Sequence, residues 1–122
     1  MNKQSATQKP VTIPVQPTKK ALANVQKLLS SGRCYNCDLK NIRLEKRNLT
    51  GADLEGADLA GARLDGSRLA GANLQGVNFS NASLKNVDFS GADLYQADLG
   101  GADLSGALLE GASLEGAKNV KR

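Results

Sequence analysis

From Cys37 to Gly116 the chain divides into sixteen consecutive five-residue units with no insertion or deletion. The central position is Leu or Phe in every unit, from Leu39 to Leu114. Two residues earlier stands Ala in ten of the sixteen, with Cys37, Ile42, Val77 and Val87 among the others. The residue just before the centre is Asp or Asn in ten, and the last is Gly in eleven. A period of five fits neither the 3.6 of a helix nor the 2 of a strand. The backbone must therefore turn by the same angle every five residues. Gly at a fixed place permits that turn, and Asp or Asn bends the chain by bonding nearby main-chain groups. The small residue and the Leu, two apart, point the same way along a short extended segment, toward a common axis. Stacked turns let each backbone pair with the one beneath it at about 4.8 Å. The expected product is a solenoid with an internal Leu/Phe column.

Composition narrows what such a rod can do. Aromatics are 3% of the 122 residues and Trp is absent, so the column itself must supply the core. Histidine is missing, which removes His-based acid–base catalysis and His-rich metal sites. No apolar run approaches the ~20 residues of a membrane span. No leader segment stands at the start, so the cytoplasm is the expected compartment, with the periplasm or a thylakoid lumen as the alternative for a processed form. The net charge of +4 hides an asymmetry. Residues 1–36 carry six basic residues and no acid, and residues 117–122 add three more. The block 37–116 holds all twelve carboxylates against seven bases, and residues 86–116 contain six acids and no base. A basic arm on an acidic body is not a uniform nucleic-acid-binding surface.

Four segments follow. Residues 1–17 are polar and Pro-punctuated and read as a flexible basic arm. Residues 18–33 read as a capping helix, with Thr18 as N-cap, an apolar stripe of Ala21, Leu22, Val25, Leu28 and Leu29, and Gly32 as the stop. Residues 34–116 are the repeat rod and 117–122 a basic tail.

Units such as Ala52-Asp53-Leu54-Glu55-Gly56 and Ala102-Asp103-Leu104-Ser105-Gly106 resemble the pentapeptide repeat family, over 80 of the 122 residues. The order of helix, CxxC and repeats resembles cyanobacterial members in particular. The resemblance implies an all-β fold, a right-handed quadrilateral β-helix of about four coils with a short N-terminal capping α-helix. Four units per coil would stack Leu39, Leu59, Phe79 and Leu99 on the first face, and Leu49, Leu69, Phe89 and Leu109 on the third. Phe79 and Phe89 then face each other across one coil. Arg47 and Ser67 fall where the pattern wants a small apolar residue pointing inward, and Leu108 takes an outward, normally polar place.

Candidate chemistry is sparse. Cys34 and Cys37 form a CxxC in which Cys37 fits the inward small position and Cys34 a preceding centre. Two cysteines without histidine do not complete a zinc site. The pair reads as buried thiols or a local disulfide, with redox sensing or a metal shared across a dimer as the other readings. The recurring carboxylates occupy turn positions and lack a nucleophile, base or phosphate loop beside them, so no catalysis and no cofactor are expected. The fourth face displays Asp53, Glu55, Asp93, Tyr95 and Glu115, either a solvated face or a flat docking surface anchored by Tyr95. The last coil needs a cover, either the tail after Gly116 folded over it or a second subunit, and a homodimer through the C-terminal coil is the favoured of the two.

The chain is therefore expected to be a non-enzymatic protein-interaction scaffold on a rigid rod, its partner another protein. Two alternatives stand beside it. Some relatives of this type mimic DNA and modulate a type II topoisomerase, which the acidic C-terminal coils fit. The basic arm instead offers a tether to a membrane or nucleic acid.

Overall fold

A computed structural model describes residues 15–120. The arm expected over residues 1–17 lies outside the described residues except for 15–17, as do Lys121 and Arg122 of the basic tail.

Helix α1 spans Lys19–Ser31. Thr18 Oγ1 accepts from the Ala21 N–H at 3.0 Å, and Gly32, left-handed at φ 75°, donates its N–H to the Leu28 carbonyl at 2.7 Å. These two contacts satisfy helix-end groups that have no partner inside the helix. The stripe that packs on the core is narrower than expected. Ala21 and Leu28 are buried and Val25 packs beside them, whereas Leu22 and Leu29 are 52% and 38% exposed. The seam i, i+4, i+7 is one narrow line on a helix, and a single line suffices against the end of a rod.

Directly after Gly32 the backbone begins to coil. Parallel bridges join residues twenty apart, from Arg33↔Asp53 to Asp98↔Lys118. With a five-residue repeat, twenty residues make four sides per coil. The chain is a repeat-protein β-helix built on isolated bridges, and no extended strand forms among the described residues. The physical reason is the period: a side of five residues holds one bridging residue before the next turn begins. The coil also starts one side earlier than the Leu pattern does. Residues 32–36 form a side with Arg33 in the bridge and Cys34 at the centre, so Cys34 stacks above Leu54.

Each side uses its N–H groups in a fixed way, shown by residues 53–57. Asp53 N–H donates upward to the Gly32 carbonyl, while Leu54 and Gly56 donate downward to Asn73 and Gln75, all at 2.8–2.9 Å. Ala57 donates back to Leu54, closing the corner at 2.9 Å. The fifth N–H, that of the residue after the centre, is taken by the Asx side chain two residues before it. Thus Lys40 N donates to Asp38 Oδ1, Gln75 N to Asn73 Oδ1 and Ser105 N to Asp103 Oδ1, at 3.0–3.2 Å. The Asp/Asn preference is explained by that one donor.

The core is a single column. Leu39, Leu59, Phe79, Phe89 and Leu99 are at most 2% exposed, and the two rings meet edge-to-face with centroids 6.0 Å apart and planes at 70°. Leu109, expected in the same column, is only partly buried, because it lies in the last described coil with nothing beneath it.

Corners carry a register rule of their own. Where the corner residue is Asn, as at Asn36 (φ 52°) and Asn81 (φ 59°), the corner one coil below is Gly. A Cβ on Gly56 would land on Asn36 Oδ1, whereas a Cβ on Gly71 would meet nothing within 4 Å. Both glycines have positive φ, 71° and 66°. Gly71→Ala is therefore expected to cost about 1–2 kcal/mol from backbone conformation alone. Gly56→Ala should cost more, and Asn36→Gly in the same chain should erase the excess. Equal denaturant midpoints for the two single variants would refute the rule.

Candidate interaction surface

Outward side chains stand in vertical rows, because every residue repeats its position twenty residues later. The fourth face is the most organised of them. Tyr35 donates its hydroxyl to Asp53 Oδ2 at 2.6 Å. Asn73 Nδ2 donates to Asp53 Oδ1 at 3.1 Å and to Glu55 Oε1 at 3.3 Å. Gln75 Nε2 donates to Asp93 Oδ2 at 2.6 Å, and Asp93 Oδ1 accepts from the Tyr95 N–H at 3.1 Å. These bonds tie Asp53, Glu55 and Asp93 into an inter-coil ladder and hold their carboxylates in place. Tyr95 stands at the side, 39% exposed, while Glu115 sits lower, in the open last coil. The hydrogen bond to Asp53 and that carboxylate's charge push the Tyr35 phenol above its ordinary value.

Two residues of this face were missed by counting repeats from Cys37. Arg33 and Tyr35 belong to the extra side 32–36, and Tyr35, 50% exposed, stacks above Glu55. The face is therefore headed by a cation as well as a second tyrosine, whereas the outward positions counted from Cys37 onward held no base. Running the period back by one unit, with Cys34 as a centre, would have found both.

Cys34 and Cys37 are joined as a disulfide with Cα atoms 5.4 Å apart, and both are buried. Cys37 N–H makes none of the corner bonds to residue 34 that the regular corners make. The covalent bridge links the same two residues that a corner hydrogen bond would. Above it, Asn24 Nδ2 on α1 donates to the Asp38 carbonyl at 3.0 Å, filling an acceptor that has no coil above it. The helix and the disulfide together close this end. Among the described residues no group of side chains is arranged to hold a metal ion.

The opposite end is open. Leu104, Leu109 and Leu114 are only partly buried, Leu108 is 56% exposed, and a concavity of about 700 Å³ is lined by residues 101–107, 109 and 110. The N–H groups of Leu104, Gly106, Leu109 and Gly111 find no backbone partner among the described residues.

A second departure lies between the second and third faces. Arg47, expected inward, is exposed, and its N–H does not close the corner onto Leu44. A guanidinium does not fit a dry Leu column. Ser67, one coil below and fully buried, supplies the missing bonds. Its hydroxyl donates to the Leu44 carbonyl and accepts from the Arg47 N–H, the latter at 2.9 Å. Lys46 beside it has φ 58°, a left-handed conformation that favours Gly or Asn.

Three turn carboxylates elsewhere are lowered by their own turns. Backbone donation from Lys40 and that lysine's charge lower Asp38, and Lys40 is raised in return. The Ser90 and Ser105 hydroxyls and N–H groups lower Asp88 and Asp103. These shifts follow from turn geometry and mark no catalytic group.

A family model described as pentapeptide repeats matches the chain in eight copies, over residues 37–76, 62–101 and 97–118. Among solved structures, a pentapeptide repeat protein from Nostoc PCC 7120 is 26% identical, with 90% of this chain and 93% of that one covered and a TM-score of 0.57. The pentapeptide repeat protein Rfr23 from Cyanothece 51142 is 24% identical over 82% of this chain and 95% of its own, with a TM-score of 0.38. HetL from Nostoc sp. strain PCC 7120, a pentapeptide repeat protein involved in heterocyst differentiation regulation, is 33% identical over 70% of this chain and 48% of its own, with a TM-score of 0.35. No curated protein sequence matches the chain.

Ser67→Ala is expected to leave the Arg47 N–H and Leu44 carbonyl unpaired and to cost about 1–3 kcal/mol. Adding Arg47→Ala should recover most of that loss, since alanine can turn inward and re-form the corner. A double variant no more stable than Ser67→Ala by denaturant unfolding would count against this coupling.

Proposed function

The chain belongs to the pentapeptide repeat family, and from that premise we propose that it is a non-enzymatic protein-interaction scaffold whose fourth face is the docking surface. Proteins of this family generally act as structural or interaction proteins. The observation that carries the reading is the ladder Tyr35–Asp53–Asn73–Glu55 with Gln75–Asp93 below it. A surface already held in one arrangement loses little side-chain entropy on binding. Two partly exposed tyrosines on it supply the residue type that most often anchors an interface. The reading takes the coil as the right-handed quadrilateral β-helix that the resemblance implies, with residues 34–116 as the rod and 18–33 as its cap.

The open last coil supports a second contact, a homodimer in which two such ends cover each other's apolar core. For the compartment, a closed Cys34–Cys37 bridge fits an oxidising space such as the periplasm or a thylakoid lumen better than the cytoplasm. No helix among the described residues is long and apolar enough to cross a membrane. Topoisomerase modulation and tethering by the basic arm rest on no contact described above.

One capture experiment from native extract tests these points together, using the tagged full chain beside an untagged copy. A foreign protein retained by the wild type should be lost with Tyr35→Ala/Tyr95→Ala, while the untagged copy is still recovered. Leu104→Arg should do the reverse. Cys34 and Cys37 should resist alkylation until reduced. Retention of the same foreign protein by the tyrosine variant would sink the fourth face as the docking surface, and failure to recover the untagged copy would sink the homodimer.

A further inference from the structure

The position before each centre is Asp or Asn in ten of sixteen units, and Arg43, Arg63 and Arg68 are three of the six exceptions. All three lie in the first two coils on the second and third faces. Arg43 and Arg63 are bridge partners, and Arg68 bridges to Asn48 beside Arg47. The corner between these faces carries Lys46, a lysine in the left-handed backbone that other corners give to Gly, Asn or Gln, and Arg47, whose N–H does not close the corner. Five departures from the repeat rule thus converge on one edge, and every one of them is a cation exposed to solvent.

The rod gives up bonding to place them. Without an Asx residue two positions earlier, the N–H groups of Glu45, Asp65 and Ala70 have no acceptor among the described residues. The corner at Arg47 holds only through the buried Ser67 hydroxyl. Nor do the cations neutralise one another's surroundings. Arg43 pairs with Glu45 at 3.3 Å, but Lys46, Arg47, Arg63 and Arg68 make no ion pair among the described residues. Of the other carboxylates, Asp65 accepts from the Ser83 hydroxyl and the Lys85 N–H, and Asp88, bridged to Arg68 from the coil below, accepts from the Ser90 N–H. Local rules broken together in one place, with a compensating residue beneath, mark a surface held for something other than folding.

We propose that this edge binds the phosphodiester backbone of a nucleic-acid duplex without reading its sequence. Four of the five cations are arginine, whose planar fork matches phosphate oxygens in pairs. Arg43 and Arg63, bridged one coil apart, stack two guanidinium groups at a backbone spacing of about 4.8 Å, with Arg68, Arg47 and Lys46 beside them. The large exposed hydrophobic side chains are Val15, Leu22, Leu29, Tyr35, Tyr95 and Leu108, and none stands at this edge in the first two coils. A folded protein partner would want an apolar anchor there, and a membrane surface would want a side chain to insert. Single strands bind by stacking on aromatic rings, which the edge lacks. The fourth-face docking surface is separate, so either proposal can fail alone.

The test measures binding of the full chain to two unrelated 20-base-pair DNA duplexes against salt, beside polyglutamate and phosphatidylserine vesicles. Five phosphate contacts give a slope of log K against log salt near −4.5, roughly a 500-fold loss between 50 and 200 mM. Arg43→Gln/Arg63→Gln/Arg68→Gln should reduce the slope by about 2.7 for both duplexes. Its circular dichroism and melting should match the wild type, and Arg68→Gln alone, changing the slope by about 0.9, gives the same reading if the triple variant unfolds. No duplex binding at 50 mM salt overturns the proposal. So does a marked preference between the two duplexes, tighter binding to polyglutamate or vesicles, or a slope unchanged in the variants, which would assign the binding to the basic arm.

Discussion

Hydrogen bonding between successive coils is the constraint on which everything else in this molecule depends. Three of the five N–H groups in a regular side bond to a neighbouring coil, one closes the corner and one goes to an Asx side chain. Because the pairing always spans twenty residues, a side cannot lengthen or shorten without breaking bonds in the coils above and below. The absence of any insertion between Cys37 and Gly116 follows from that. So does the narrow choice at each position, since the inward places share one dry column and the corners demand positive φ.

The same constraint explains how the ends differ. A β-helix leaves backbone donors and acceptors without partners at each rim, together with the ends of its core. At the N-terminal rim, α1 covers the column with Ala21, Val25 and Leu28, Asn24 fills the Asp38 carbonyl, and the disulfide holds the first corner. At the C-terminal rim Val120 alone packs back against the core, and Leu104, Leu109 and Leu114 stay partly exposed among the described residues. The two ends are thus chemically distinct, one finished and one open to association.

Function in such a rod lies on its outside, where each row of side chains is free to vary once the inward positions are satisfied. Two rows use that freedom in opposite ways. The fourth face locks its carboxylates into bonds with the neutral donors Tyr35, Asn73 and Gln75, which makes a stiff surface that stays acidic. The edge at Arg43, Lys46, Arg47, Arg63 and Arg68 leaves its charges mostly unpaired and gives up regular corner and turn hydrogen bonds to do so. If both proposed surfaces are used, one rigid body holds two ligands at a fixed separation.

The sequence alone determined the repeat, the column of Leu and Phe, the helix with its Thr18 and Gly32 caps and the place of Asp and Asn at the turns, because each is dictated within five residues by backbone geometry. The Phe79–Phe89 contact was also legible once four units were taken per coil. What the tertiary structure decided concerns residues whose partner lies a full coil away. Arg47 reads as inward from its own unit, and only the stacked Ser67 hydroxyl, twenty residues on, allows it to turn out. Tyr35 reads as part of a CxxC until Arg33 pairs with Asp53 and places it on the fourth face. Leu22 and Leu29 fit the helical stripe, yet the rod end covers only one line of it. Period and propensity act along the chain, whereas the hydrogen bonds that settled these positions act across it, between coils that no local pattern brings together.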